Sequence, residues 1–192
     1  MENILTRLRR GEIIVGDGAL GTMLMQRGLK HGEPPELFNV ENPRVIEEIA
    51  GLYLDAGAEI IETNTFGASP LRLEQFSLEN RMEDMNRAAV EAVRRAVGEK
   101  AYIAGSVGPS ARNLEPLGDA EPEQIFDSFA AQIRVLVAAG VDMICIETMM
   151  NTAEAVLAVK AARSVSAEIP IAATMTFNKT PHGFFTPLIR YN

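Results

Sequence analysis

Three carboxylates stand where apolar runs break into polar loops: Asp17 after the run 13–15, Glu62 near the end of the run 59–63, and Glu147 after the run 143–146. An acid at the end of a buried strand can meet a ligand that backbone amides also reach. Asp17 is followed by Gly18-Ala19-Leu20-Gly21-Thr22, and glycine lets backbone N–H groups approach an anion closely. A carboxylate beside free amides suits a ligand with both an ammonium and a carboxylate, such as an amino acid, because the acid pairs with one and the amides with the other. Taken singly, each acid is as readily a helix cap or a loop hydrogen-bond acceptor. Three together favour one shared polar mouth.

Other chemistries have weaker support. The sequence has no Gly-Lys-Ser/Thr, so a P-loop for nucleotide phosphates is not matched. Cys145 lies two residues before Glu147 and therefore faces the same side of its strand. Nucleophile or metal ligand is the sharper reading of it, and a small buried core residue is the favoured one. As the single cysteine, it excludes an internal disulfide and cannot alone build a thiolate-rich zinc site. His31 and His182 sit in Pro/Gly-rich stretches without metal-ligand spacing and read as surface histidines.

Positioning these residues requires a sheet. Apolar runs at 13–15, 59–63, 102–104, 143–146 and 171–177 read as strands. Between them, Asn42-Pro43 opens a helix closed by Gly57, 69–76 forms a helical turn, 82–98 and 122–139 show helical spacing, and 31–38 is an irregular surface connection. Asn151 with Glu154 resembles a capping box for a further helix. The strands are too apolar for one solvated face, which argues for a parallel sheet covered by helices. Ala56-Gly57-Ala58-Glu59-Ile60-Ile61-Glu62-Thr63 is echoed at 139–148 with two extra residues. Because side chains alternate with period two, Glu147 stays on the face equivalent to that of Glu62.

The 192 residues amount to about one domain, and 47% hydrophobic with 23% charged residues is a soluble, globular composition. A net charge of −8 disfavours nucleic acid and anionic membrane surfaces. The N-terminal residues lack the apolar core of a signal peptide, and no run approaches the roughly 18 apolar residues of a membrane span. A cytoplasmic location is expected. Five βα-type units fall short of the eight strands and about 250 residues of a closed (β/α)₈ barrel. The expected fold is therefore α/β, of (β/α)₈ TIM-barrel type, truncated after about five strands.

Asp17-Gly18-Ala19-Leu20-Gly21-Thr22-Met23-Leu24, with 57–66 ending Glu62-Thr63-Asn64-Thr65-Phe66, Gly105-Ser106-Val107-Gly108-Pro109, and Asp142 through Glu147-Thr148, resembles the homocysteine S-methyltransferase family. The likeness is nearest to the homocysteine-binding domain of cobalamin-dependent methionine synthases. It implies methyl transfer to the homocysteine thiol, forming methionine, with zinc on three cysteine thiolates holding the sulfur as a thiolate. It also implies that Asp17 and Glu147 hold the substrate amino group and that the amides around Gly18, Ala19 and Gly21 lie near its carboxylate. Glu62, Thr63, Asn64 and Ser106 are further mouth residues. The methyl donor would be a methylcorrinoid or methyltetrahydrofolate on another domain, betaine or S-methylmethionine.

The family's zinc cysteines follow later strands, and Cys145 matches none of them. No catalytic or metal-binding residue is therefore assigned, and residues 1–192 are read as the amino-terminal part of the barrel domain, inactive alone. One alternative is a non-catalytic binding or assembly module whose open sheet edge pairs with a companion chain that completes the barrel. Another is a barrel enzyme that uses the acids directly in proton transfer.

Overall fold

The computed structural model describes residues 1–181 and 183–185. In chain order its elements are helices α1 (Ile4–Arg9), α2 (Gly21–Met25), α3 (Phe38–Glu41) and α4 (Pro43–Asp55), strand β1 (Ile60–Glu62), helices α5 (Pro70–Leu73) and α6 (Met82–Val97), strand β2 (Tyr102–Val107), helix α7 (Pro122–Ala139), strand β3 (Met143–Met149), helix α8 (Thr152–Val165), and strands β4 (Ile171–Met175), β5 (Asn178–Thr180) and β6 (Gly183–Phe185). Local chemistry accounts for the longer helices. Proline occupies the first turn of α4 and α7, where its missing N–H costs nothing. Helix α6 has Glu83 and Asp84 in its first turn and Arg94 and Arg95 in its last, complementing the helix dipole. Gly140, at φ 93°, ends α7 in the left-handed conformation.

Strands β1 to β4 form a four-stranded sheet in sequential order, every pair parallel. The period of two divides the sheet's side chains between two environments. Ile61, Ile103, Val107, Ile144 and Ile146 join the larger core with Phe129, Ile133 and Leu136 of α7. Gly105 lets α7 come close, since a Cβ there would lie 3.0 Å from Leu136 and 3.2 Å from Ile144. On the opposite face Tyr102, Ala104, Met143 and Cys145 pack with Ile4 of α1 in a smaller cluster. Cys145 is thus buried, as favoured, although it also borders the cavity described below. No helix among the described residues is long and apolar enough to cross a membrane.

Several local expectations need correction. The run 13–15 is not a strand: its neighbour Gly16 makes an isolated parallel bridge to Ile60, and Ile13 and Val15 are 89% and 54% exposed. Both the Glu59 and Ile60 amides converge on the Val15 carbonyl, so no regular ladder develops. The described sheet is accordingly an open one of four strands, not a closed barrel. The stretch 31–38 is not simply a surface connection, because Pro35–Leu37 forms a 3₁₀ turn that buries Glu36. The proposed capping box is half made: Asn151 caps the Ala153 amide, but the Glu154 carboxylate instead accepts the amide and hydroxyl of Ser110 at 2.8 and 2.6 Å. Strand β4 ends before Phe177, and the antiparallel β5–β6 pair was not anticipated. His31 is exposed as expected; His182 and the tail from Thr186 lie outside the described residues.

The burial contrast is testable by urea denaturation. Ile103→Ala, on the helix side of β2, should cost about 2–5 kcal/mol. Ile13→Ala should stay within about 0.5 kcal/mol of the parent.

Candidate functional site

At the C-terminal ends of the strands lies a cavity of about 770 Å³. Asp17, Gly18, Ala19, Gly21, Glu62, Thr63, Asn64, Ser106 and Glu147 all line it. The alternation of the strands brings Glu62, Ser106 and Glu147 to one face, and a loop contact adds Asp17. Its Oδ2 accepts the Glu62 amide hydrogen at 2.9 Å, tying the glycine loop to the end of β1. Gly18 sits against the Tyr53 ring, where a Cβ would meet ring atoms at 3.2 Å. The Tyr53 hydroxyl donates to the Ala19 carbonyl at 2.8 Å. Among the described residues, the amides of Gly18, Ala19 and Gly21 donate to no protein acceptor.

The polar residues between the acids are bound to one another. Thr65 Oγ1 donates to the Ser106 carbonyl at 2.7 Å, which uses its only hydrogen, so Thr63 is the donor in the 2.6 Å contact between the two threonine hydroxyls. Thr63 Oγ1 in turn accepts the Ser106 amide at 3.2 Å. The Ser106 hydroxyl donates to Glu147. Asn64 donates to the Pro35 carbonyl and to Asn39, at 2.8 and 2.9 Å. Thr63 and Asn64 are therefore committed chiefly to holding the mouth in shape, whereas Asp17, Glu62 and Glu147 present the charge. Immediately after Glu147 the β3–β4 register shifts, and Thr148 takes φ 60°, a costly conformation for a β-branched residue.

Among the described residues none of the three acids has an ion-pair partner. Burial is the largest influence on Asp17, and with the charge of Glu147 it outweighs the amide hydrogen bonds, raising the carboxyl from 3.8 to about 6. Burial likewise lifts Glu62 to about 7; the Cys145 thiol opposes the rise, while the charges of Glu147 and Asp17 reinforce it. The same burial, with Glu62 alongside, pushes the Cys145 thiol up and keeps it protonated.

Zinc of the kind the resemblance implies does not fit these residues. The sequence supplies one cysteine where three thiolates are needed, and that thiol is held in its protonated form. No group of three His, Cys, Asp or Glu side chains among the described residues has a metal-binding arrangement. What the site can receive is a cation that also accepts hydrogen bonds from nothing and donates several, such as an ammonium.

Sequence reasoning missed the outer part of the cavity. Glu36, Phe66, Arg72 and Phe76 also line it. Glu36 is buried, which raises its carboxyl, and it accepts the Gly67 amide at 2.6 Å. Nothing in the proline-rich stretch announces that burial, because the Gly67 amide it satisfies is far away in sequence. Phe66 stood in a recognised motif; a Cβ on Gly108 would lie 2.6 Å from its ring, so this glycine makes room for it.

The model of the homocysteine S-methyltransferase family matches residues 14–185. Methionine synthase of Mycobacterium tuberculosis is 31% identical over 186 residues, covering 88% of this chain and 15% of that protein. Methionine synthase of Mycobacterium leprae is 29% identical over the same coverage. The chain thus spans about 15% of the length of these curated relatives. Among solved structures, the homocysteine methyltransferase MmuM from Escherichia coli in its metallated form superposes with a TM-score of 0.78 at 23% identity, covering 93% of this chain and 68% of that one. Its oxidized form gives 0.74 at 25% identity, covering 90% and 65%.

The raised acids fix a sign for the pH dependence. Asp17 and Glu62 bind protons more tightly folded than unfolded, so their stabilising contribution is complete below about pH 4. It is lost as pH rises through their folded values of about 6 and 7. Glu62→Gln mimics the protonated acid, so its melting temperature relative to wild type should climb between pH 4 and pH 8 by on the order of a few degrees. A difference that stays flat across that range, followed by circular dichroism, would contradict the desolvated-acid description.

Proposed function

The chain belongs to the homocysteine S-methyltransferase family, and from that premise we propose that it binds homocysteine as the substrate half of a methyl-transfer site of methionine synthase type. One observation carries this reading: three carboxylates without an ion-pair partner among the described residues, Asp17 and Glu62 of them desolvated, converge on a cavity beside unengaged loop amides. The substrate ammonium would sit between Asp17 and Glu147, and its carboxylate would take the amides of Gly18 to Gly21. Glu62, Thr63, Asn64 and Ser106 complete the mouth. In this reading the parallel sheet is part of a (β/α)₈ barrel, and residues 1–192 act as one domain in the cytoplasm, where the lone thiol stays reduced.

Charge dictates what binding does. An ammonium placed among these acids favours their ionised forms, so protons leave as the ligand enters. Methyl transfer needs in addition a sulfur nucleophile. A thiol with an ordinary value near 8.5 is mostly protonated at neutral pH, and the residues present do not fit the zinc that supplies the thiolate elsewhere in the family. This chain by itself is therefore a binding domain without turnover. The methyl donor, a methylcorrinoid or a methylfolate carried on other domains, belongs to the assembled protein.

A second reading, an assembly module pairing with a companion chain, is favoured by the exposure of Ile13, Val15, Phe177 and Phe184, at 89, 54, 55 and 70%. Exposed apolar side chains beside open strand edges promote association. Sedimentation velocity separates the cases: a monomer at all concentrations removes this one.

Calorimetry at pH 6.5 in buffers of different ionisation enthalpy tests the first reading. Homocysteine should bind with proton release, and Asp17→Asn or Glu147→Gln should weaken it about tenfold or more, equivalent to about 1.4 kcal/mol. Binding that ignores both substitutions overturns it. Methionine formation by the isolated chain with stoichiometric zinc would instead overturn the absence of turnover.

A further inference from the structure

Gln132 lies in the middle of α7, fully buried, and belongs to neither the cavity lining nor the recognised motifs. Its Nε2 donates to the Thr65 carbonyl at 2.7 Å and reaches the Ser106 carbonyl at 3.4 Å and Asn86 Oδ1 at 3.3 Å. Its Oε1 is buried and has no hydrogen-bond partner among the described residues. A buried carbonyl oxygen left unpaired is costly. An apolar residue of the same length would fill the space without that cost, so the position makes physical sense only through what the amide nitrogen does.

That nitrogen completes the fastening of Ser106. The Ser106 amide is held by Thr63 Oγ1, and its carbonyl receives both Thr65 Oγ1 and Gln132. With both backbone groups engaged, the Ser106 side chain is aimed, and its hydroxyl donates to Glu147. Gln132 also secures the Thr65 carbonyl, so one carboxamide bridges the loop after β1 and the end of β2 from the helix side of the sheet.

We propose that Gln132 is a positioning residue that sets the orientation of Glu147, acting through Ser106 and Thr65, and thereby tunes the site for a ligand ammonium. The ammonium clause rests on the homocysteine reading above; the orientation of Glu147 does not. Gln132→Met removes the donor at nearly constant length. Gln132→Glu keeps one donor at acid pH, where a buried carboxyl stays protonated, and places a charge against carbonyl oxygens at alkaline pH. Ile133→Ala, in the same helix and fully buried, is the control for destabilisation alone.

Two readouts separate the outcomes. In ligand-free protein labelled with ¹³C at glutamate Cδ, the Glu147 carboxyl resonance should move in Gln132→Met. In Gln132→Glu it should match wild type at pH 5.5 and move at pH 8. Homocysteine affinity should fall about tenfold in Gln132→Met and follow the same pH pattern in Gln132→Glu. A Glu147 resonance unmoved in both variants, or moved equally by Ile133→Ala, overturns the proposal. Should Gln132→Met not fold, Gln132→Glu at the two pH values decides alone. If wild type binds no homocysteine while the resonance behaves as stated, the substrate reading fails and the positioning role stands.

Discussion

A parallel sheet covered on one side by helices allows each strand only one face for anything but packing. In β2 and β3 every second residue is taken by the core against α7 and α8, so chemistry is confined to the alternate set: Tyr102, Ala104 and Ser106 on one strand, Met143, Cys145 and Glu147 on the next. Along both strands the side chains become more polar toward the C-terminal end, where the sheet stops being packed and the cavity opens. The location of the site follows from that alternation together with the direction of the strands. A shift of one residue in either strand would send Ser106 or Glu147 into the helix interface, where neither has a partner.

The electrostatics follow from the same geometry. Bringing Asp17, Glu62 and Glu147 to one mouth without an ion-pair partner among the described residues leaves Asp17 and Glu62 desolvated and facing the charge of Glu147. Natural interiors usually answer such a cluster with an arginine or a lysine, and the surface of this protein does so repeatedly, as at Arg95 with Glu47 and Arg112 with Glu74. Within the cavity Arg72 acts on Glu36, and no ion pair answers Asp17, Glu62 or Glu147 among the described residues. The site is thereby less stable than it need be, a cost that stability-optimised cores do not carry.

Much of this was legible in the sequence because it rests on local rules. The helix Pro122–Ala139 was read with its observed bounds from a proline, a periodic apolar face and a terminal glycine. The repeat around Glu62 and Glu147 gave their shared face from parity alone. What escaped was non-local. The run 13–15 has strand composition but only one neighbour in the described sheet, so its apolar side chains gain no cover. Glu154 has the spacing of a capping box, yet the Ser110 amide and hydroxyl claim it first. Glu36 and Gln132 are polar residues whose importance depends on backbone groups many residues away, and no periodicity encodes that.

The frame behind the acids is built from Asn39, Asn64, Asn86 and Gln132, with the hydroxyls of Thr63, Thr65 and Ser106. Carboxamides and hydroxyls neither gain nor lose charge at physiological pH. Asp17 and Glu62, by contrast, exchange protons between about pH 6 and 7. The site thus pairs a chargeable lining with an uncharged frame: acidification changes the charge of the mouth and leaves that of the frame unchanged. On the proposed ammonium-binding reading, a fall in pH would lower occupancy through the charge of the lining alone.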